Sequence, residues 1–138
     1  MDLEDKTIER GKDAAGVAAN SAYCPYSRFP VGAAVLTENG ELISGCNVEN
    51  ASYGLTICAE RNAVIQAVAK GHRRIRAVFI VTPCSDDPSP PCGACRQVIN
   101  EFGPEAEIFS YGGSGEILRS NMQELLPLAF DKASLEAR

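Results

Sequence analysis

The sequence predicts an α/β fold: a three-layer α/β/α sandwich around one mixed, mostly five-stranded sheet, in a single domain over residues 1–138. Three observations carry this expectation. Two β-prone runs flank Asn39-Gly40, the signature of an antiparallel hairpin. From Cys58 to Tyr111 helical patterns alternate with β-branched runs, which places parallel neighbours in the sheet and helices over it. No repeat, low-complexity tract or linker interrupts the chain, and 138 residues suit one core that needs no disulfide.

The elements follow in order. Residues 5 to 22 carry an Ala-rich helical pattern in which Ile8, Ala15, Ala18, Ala19 and Ala22 share a face. Pro25 and Pro30 break it in the loop YCPYSRFP. The stretch VGAAVLTENGELISGCNVEN supplies the two hairpin strands. CAERNAVIQAVAKG reads as a buried helix lined by Ala63, Val64, Ala67 and Val68, with Gly71 as its stop. IRAVFIVT, residues 75 to 82, is a central strand, and CSDDPSPP is loop. GACRQVINEFG forms a short helix ending at Gly103, and AEIFSY is another strand. ILRS adds a weaker strand after the turn YGGSGE, and Asn121 with Glu124 caps a last short helix at MQELLP.

Composition narrows the function. The net charge is −5, from 13 basic and 18 acidic side chains, whereas nucleic-acid binders show a basic field. The densest basic cluster, KGHRRIR, reads as a helix end whose cations complement the dipole, and His72 within it is expected at the surface. No apolar run approaches the ~20 residues of a membrane helix. The start MDLEDKTIERGKD lacks the apolar block of a signal peptide, so a cytoplasmic location is the expectation.

The six cysteines include one C-x-x-C, which in a cytosolic chain points to metal or redox chemistry. Cys58 opens one predicted helix, and Cys92 and Cys95 open another; helix starts favour thiolates, and thiolates bind zinc. The strand between the helices has the length to bring both starts to one sheet edge, where open α/β sheets bind ligands. Three protein ligands leave a tetrahedral zinc one open position, the mark of a catalytic rather than a structural site. Glu60 stands two residues past Cys58, placed to reach a water there as general base and then acid. Arg61 is placed to hydrogen-bond the thiolates and offset their charge. The competing readings are a redox C-x-x-C pair, a closed structural zinc using Cys24, Cys46 or Cys84 as fourth ligand, and Glu60 as a solvated helix residue. Otherwise those three cysteines are core or loop fillers.

The pattern C-A-E followed by P-C-x-x-C resembles the zinc nucleoside and nucleobase deaminases, here with Cys as first ligand. SRFPVGAAVLTENGELISGCNVENASYGLTICAERNAV, PCGACRQVINEF and ELLPLAF resemble the small homotetrameric cytidine deaminases, over roughly residues 8 to 130. The resemblance implies one zinc ion per chain held by Cys58, Cys92 and Cys95, with Glu60 as proton shuttle. It implies that Asn47 and Glu49 bind the ribose hydroxyls, that Phe29 walls the pyrimidine and that Ala59 offers its backbone amide to the base. Tyr53 and Phe130 resemble residues that complete a neighbouring subunit's site. The implied reaction is hydrolysis of cytidine and deoxycytidine to uridine and deoxyuridine in pyrimidine salvage. An anion at Glu49 would repel a 5′-phosphate, which favours nucleosides over nucleotides. The alternatives are a polynucleotide deaminase, a deaminase of another cytosine-containing small molecule such as a nucleoside antibiotic, and a non-catalytic zinc-stabilised module.

Overall fold

The structure, a computed structural model, describes residues 3–136. Helix α1 (Asp5–Ala19) leads into the hairpin β1 (Gly32–Thr37) and β2 (Leu42–Cys46). A 3-10 turn at Tyr53–Leu55 precedes α2 (Ala59–Ala69), β3 (Ile75–Thr82), α3 (Gly93–Phe102) and β4 (Glu107–Gly112). The chain closes with β5 (Ile117–Asn121), α4 (Met122–Leu125) and α5 (Lys132–Glu136). The sheet order is β2-β1-β3-β4-β5, with β3 and β4 parallel and every other pair antiparallel. This is the mixed five-stranded sheet the sequence predicts.

Period-two alternation sorts the side chains into two cores. Ala33, Val35, Val78, Ile80 and Ile108 point to the face covered by α2, α3 and α4. Ala34, Leu36, Ala77, Phe79 and Phe109 point to the face covered by α1. There Phe79 and Phe109 stack with centroids 5.0 Å apart. α2 lies almost backbone to backbone on β2: a Cβ at Gly45 would meet the Ala63 nitrogen at 2.5 Å. Asn62 Nδ2 donates to the Cys46 carbonyl at 2.7 Å and Gln66 Nε2 to the Ser44 carbonyl at 3.1 Å, fixing the helix to the strand lengthwise.

Some details differ from the sequence reading. α1 ends at Ala19, not at residue 22, because bonds of the i to i−3 type close its last turn and Tyr23 N turns away to the Asn47 carbonyl. Its buried face runs through Gly11, Ala15 and Ala19, so Ala18 sits off that face and Ala22 beyond the helix. In the hairpin only Gly40 takes positive φ (86°); Gly40 N bonds the Thr37 carbonyl and the Thr37–Glu41 pair closes the loop, so Asn39-Gly40 is not a two-residue primed turn. His72 is half-buried rather than fully at the surface: its side chain is 10% exposed and its Nε2 lies 3.2 Å from Glu41 Oε2. Gly71, by contrast, stops α2 as expected. It adopts φ 96°, and the paired bonds Gly71 N to Val68 O and His72 N to Ala67 O form a Schellman cap. Arg73 adds a cationic cap on the Val68 carbonyl at 2.9 Å. No helix among the described residues is long and apolar enough to cross a membrane.

Candidate active site at the strand C-termini

The topology gathers the chemistry at one sheet edge. β1 starts there: Gly32 pairs with Cys46 at the end of β2 and with Val81 near the end of β3. α2 therefore starts at the edge where β2 ends, runs down the sheet, and β3 returns the chain to the same edge. The loop after Thr82 then delivers α3. Cys58 is the N-cap of α2 and Cys92 the N-cap of α3, and neither side chain makes a capping bond. Cys95, one turn into α3, is fully buried.

The three sulfurs lie within 4.8 Å of one another, with 4.0 Å from Cys58 to Cys92 and 3.4 Å from Cys92 to Cys95. Tetrahedral zinc with Zn–S bonds of ~2.3 Å spaces its sulfurs about 3.8 Å apart, so the donor set fits zinc. No fourth Cys, His, Asp or Glu joins this cluster among the described residues; Cys24 and Cys46 are half-buried elsewhere and Cys84 is exposed. The Cys58 thiol is pulled well below its ordinary range by the hydrogen bond from Cys95 and then by Arg61, while Cys95 is pushed up by the same sharing with Cys58. Arg61 Nη2 donates to Cys58 Sγ at 3.6 Å and to the Thr56 carbonyl at 3.3 Å, which sets its guanidinium beside the sulfurs.

Glu60 is only 6% exposed, and burial pushes its carboxyl up to about 7. It borders a cavity of about 440 Å³ together with Cys58, Ala59, Cys92, Phe29, Asn47 and Glu49. Seven of the predicted site residues thus share one hollow of the size that holds a small ligand. Ala59 is the first residue of α2 and fully buried, and its amide belongs to the N-terminal turn, where N–H groups lack helical partners.

Asn47 and Glu49 reach the cavity but spend most of their hydrogen bonding on its wall. Asn47 Oδ1 accepts from Val31 N at 2.9 Å, and its Nδ2 donates to the Phe29 carbonyl at 2.9 Å. Glu49 accepts from Tyr26 N at 3.0 Å, from Ser27 N at 3.1 Å and from the Ser27 hydroxyl. The Ser27 hydroxyl and then these amides hold its carboxyl below the usual range. The two side chains clasp the loop that carries Phe29, leaving for a ligand one hydrogen and one oxygen lone pair on the Asn47 amide and about one lone pair on the Glu49 carboxylate.

Tyr53 and Phe130 do not border this cavity. Tyr53 is 75% exposed, stands edge-on to Tyr26 and lines a neighbouring hollow of about 340 Å³ that shares Ser27, Glu49 and Thr56. Phe130 is exposed, and its carbonyl accepts from Gln97 Nε2 at 2.8 Å. Several lining residues escaped the sequence reading, among them Ser27, Thr56, Thr82, Ser89 and Pro90. Ser89 and Pro90 belong to the loop between β3 and α3. That loop rests on Gly112 and Gly113, where a Cβ would meet the Asp86 carbonyl oxygen at 2.0 Å and the Pro83 carbonyl oxygen at 2.2 Å.

The chain resembles known proteins over most of its length. A family profile for the cytidine and deoxycytidylate deaminase zinc-binding region matches residues 5–111. Cytidine deaminase of Sporosarcina psychrophila is 43% identical over 136 residues, covering 98% of this chain and 96% of its own. That of Halalkalibacterium halodurans is 48% identical over 114 residues, covering 82% and 86%. The crystal structure of cytidine deaminase from Burkholderia pseudomallei superimposes with a TM-score of 0.84 at 45% identity, covering 88% of this chain and 98% of that one.

Proposed function

Because the chain belongs to the cytidine and deoxycytidylate deaminase family, we propose that its cavity hydrolyses cytidine, and 2′-deoxycytidine with it, to the uridine nucleoside and ammonia. The observation that carries this reading is one hollow bordered by Phe29, the buried Glu60 and two thiols, Cys58 and Cys92, of a three-sulfur cluster that Cys95 completes. Cys58, Cys92 and Cys95 would hold the zinc, which would supply a Lewis acid able to make water nucleophilic near neutral pH.

The chain's own residues do the rest. Phe29 stacks along the pyrimidine and the Ala59 amide receives its carbonyl, placing C4 toward the thiols and the exocyclic amine beside Glu60. Glu60 takes a proton from the attacking water and delivers it to N3, and water's oxygen bonds to C4. Glu60 then carries the second proton to the amine, the C4–N bond breaks, and ammonia leaves. A carboxyl held near 7 by burial suits both directions of that traffic. Arg61 offsets the thiolates' negative charge. The capacity left on Asn47 and Glu49 takes the ribose hydroxyls, and the Glu49 carboxylate repels a 5′-phosphate.

A free nucleoside fits the acidic chain better than a nucleic acid does. Tyr53 and Phe130 are exposed away from their own cavity, which supports a homotetramer in which each completes a neighbour's site. We place the chain in the cytoplasm, where zinc thiolates stay reduced, and in pyrimidine salvage. The test follows ultraviolet absorbance with zinc-loaded protein on cytidine, deoxycytidine and cytidine monophosphate. The two nucleosides should be converted in a chelator-sensitive way and the nucleotide poorly. Glu60→Gln should retain zinc and fold but lose about 10²- to 10⁴-fold in kcat; near-normal turnover would remove Glu60 from the reaction.

A further inference from the structure

The residues immediately after Cys95 make contacts that the chemistry above does not use. Arg96 forks between two carbonyls: its Nε donates to Pro91 O at 2.8 Å and its Nη1 to Leu125 O at 3.0 Å. Gln97 Nε2 donates to Phe130 O at 2.8 Å. Two consecutive side chains of α3 therefore hold both ends of the segment 125–130, and one of them also holds the loop directly before Cys92. We infer that Arg96 and Gln97 are positioning residues that strap this C-terminal segment to the metal helix, so that zinc binding and the placement of Phe130 are one linked equilibrium. The inference rests on the reading of Cys58, Cys92 and Cys95 as zinc ligands and of Phe130 as a residue given to a neighbour's site.

The segment needs such a strap. Leu125 and Leu126 pack against the core, but beyond them the chain has little of its own to hold it. Leu128 sits in the left-handed region at φ 52° and is fully exposed, and Phe130 is 54% exposed. A branched residue at positive φ persists only where its surroundings impose it. The Leu125 carbonyl also lies at the end of α4, where helical acceptors have no partner in the helix. A planar guanidinium reaches two carbonyls at once, which a lysine ammonium on one stem does not reproduce.

Cys92 and Cys95 bracket the first turn of α3, Pro91 precedes that turn, and Arg96 and Gln97 follow it. A metal that pins both thiols pins the frame from which both straps reach. By reciprocity, what the metal does for the strap, the strap does for the metal.

Hydrogen exchange read by mass spectrometry over residues 126–130 tests this, with and without chelator, under reductant. The protein concentration is one at which chelation leaves the assembly's mass unchanged. Chelation should speed exchange across the segment. Gln97→Ala with zinc bound should exchange at 128–130 as the chelated wild type does, and by the same reciprocity it should release zinc to a chromophoric chelator faster than the wild type. Arg96→Ala should speed both exchange and zinc release, the latter about 10-fold or more, the scale set by groups that hold metal ligands in place. If Arg96→Ala does not fold, Arg96→Lys should shift both readouts in the same direction. Exchange that ignores zinc in the wild type, or zinc release unaltered in the Arg96 variant, overturns the inference. Neither readout needs turnover. Linked exchange in a protein inert toward cytidine would sink the functional reading alone, and unlinked exchange in an active enzyme would sink the strap alone.

Discussion

Asn47→Ala separates two jobs that one side chain performs. The amide is 8% exposed and joins Val31 N to Phe29 O through two 2.9 Å bonds across the loop at the cavity wall. Alanine leaves one peptide N–H and one carbonyl without these partners. A buried orphan costs about 1–3 kcal/mol, so the pair should cost about 2–4 kcal/mol once the loop relaxes. Against a domain stability of roughly 5–15 kcal/mol this is a large share. It corresponds to a midpoint lower by roughly 6–12 °C for a chain of this size. The assay is unfolding of zinc-loaded protein at fixed concentration, with KM for cytidine measured on the same samples. Lower stability and higher KM should appear together, because the loop that loses its clasp carries Phe29. Asn47→Asp should behave alike, since it keeps an acceptor for Val31 N but sets a carboxylate oxygen against the Phe29 carbonyl. A raised KM with an unchanged midpoint would refute the argument and leave Asn47 as a sugar ligand only.

Gly113→Ala should press the new methyl into the Pro83 carbonyl and displace the loop carrying Ser89 and Pro90. kcat/KM should fall about 10-fold or more while zinc content holds; unchanged kinetics would show that the loop gives way freely. Arg61→Ala should weaken zinc retention by about 10–100-fold in competition with a chelating dye, and equal retention would remove it from the site's electrostatics. Chelation in air should let Cys92 and Cys95, 3.4 Å apart, pass two electrons and two protons to dissolved oxygen and join as a disulfide. Zinc alone should then fail to restore activity where zinc with a thiol reductant succeeds, and full recovery with zinc alone would contradict this.

Much of the molecule was legible because its signals are local. β3 spans Ile75–Thr82 as its apolar run predicts, Gly71 closes α2, and Asn121 Oδ1 caps the Glu124 amide at 2.9 Å. The thiol cluster was legible for a related reason: two helix starts, each marked by its own cysteine, must meet where successive crossovers return to one edge. What stayed hidden depends on pieces far apart in sequence. The Asn47 and Glu49 bonds reach back 16 to 23 residues to a loop with no periodicity. Gly112 and Gly113 look like any turn until the Asp86 and Pro83 carbonyls are seen against them. Arg96 follows Cys95 and could equally have faced water; only the folded chain brings Leu125 to it.

The contact of Gly45 with Ala63 bears on how such a protein changes over generations. The helix that carries Cys58 and Glu60 lies on its strand with no room for a side chain between them, so a larger residue on either partner lifts that thiol and that carboxyl together. The opposite part of the cavity wall is built differently, from the loops that carry Phe29 and Ser89–Pro90, whose side chains can be exchanged without entering that helix–strand contact. Selection for a new substrate therefore has one part of this site to work on and another it must leave alone. Variants of altered preference should accumulate substitutions at residues 26–31 and 83–91, while Gly45, Ala59 and Ala63 remain as they are.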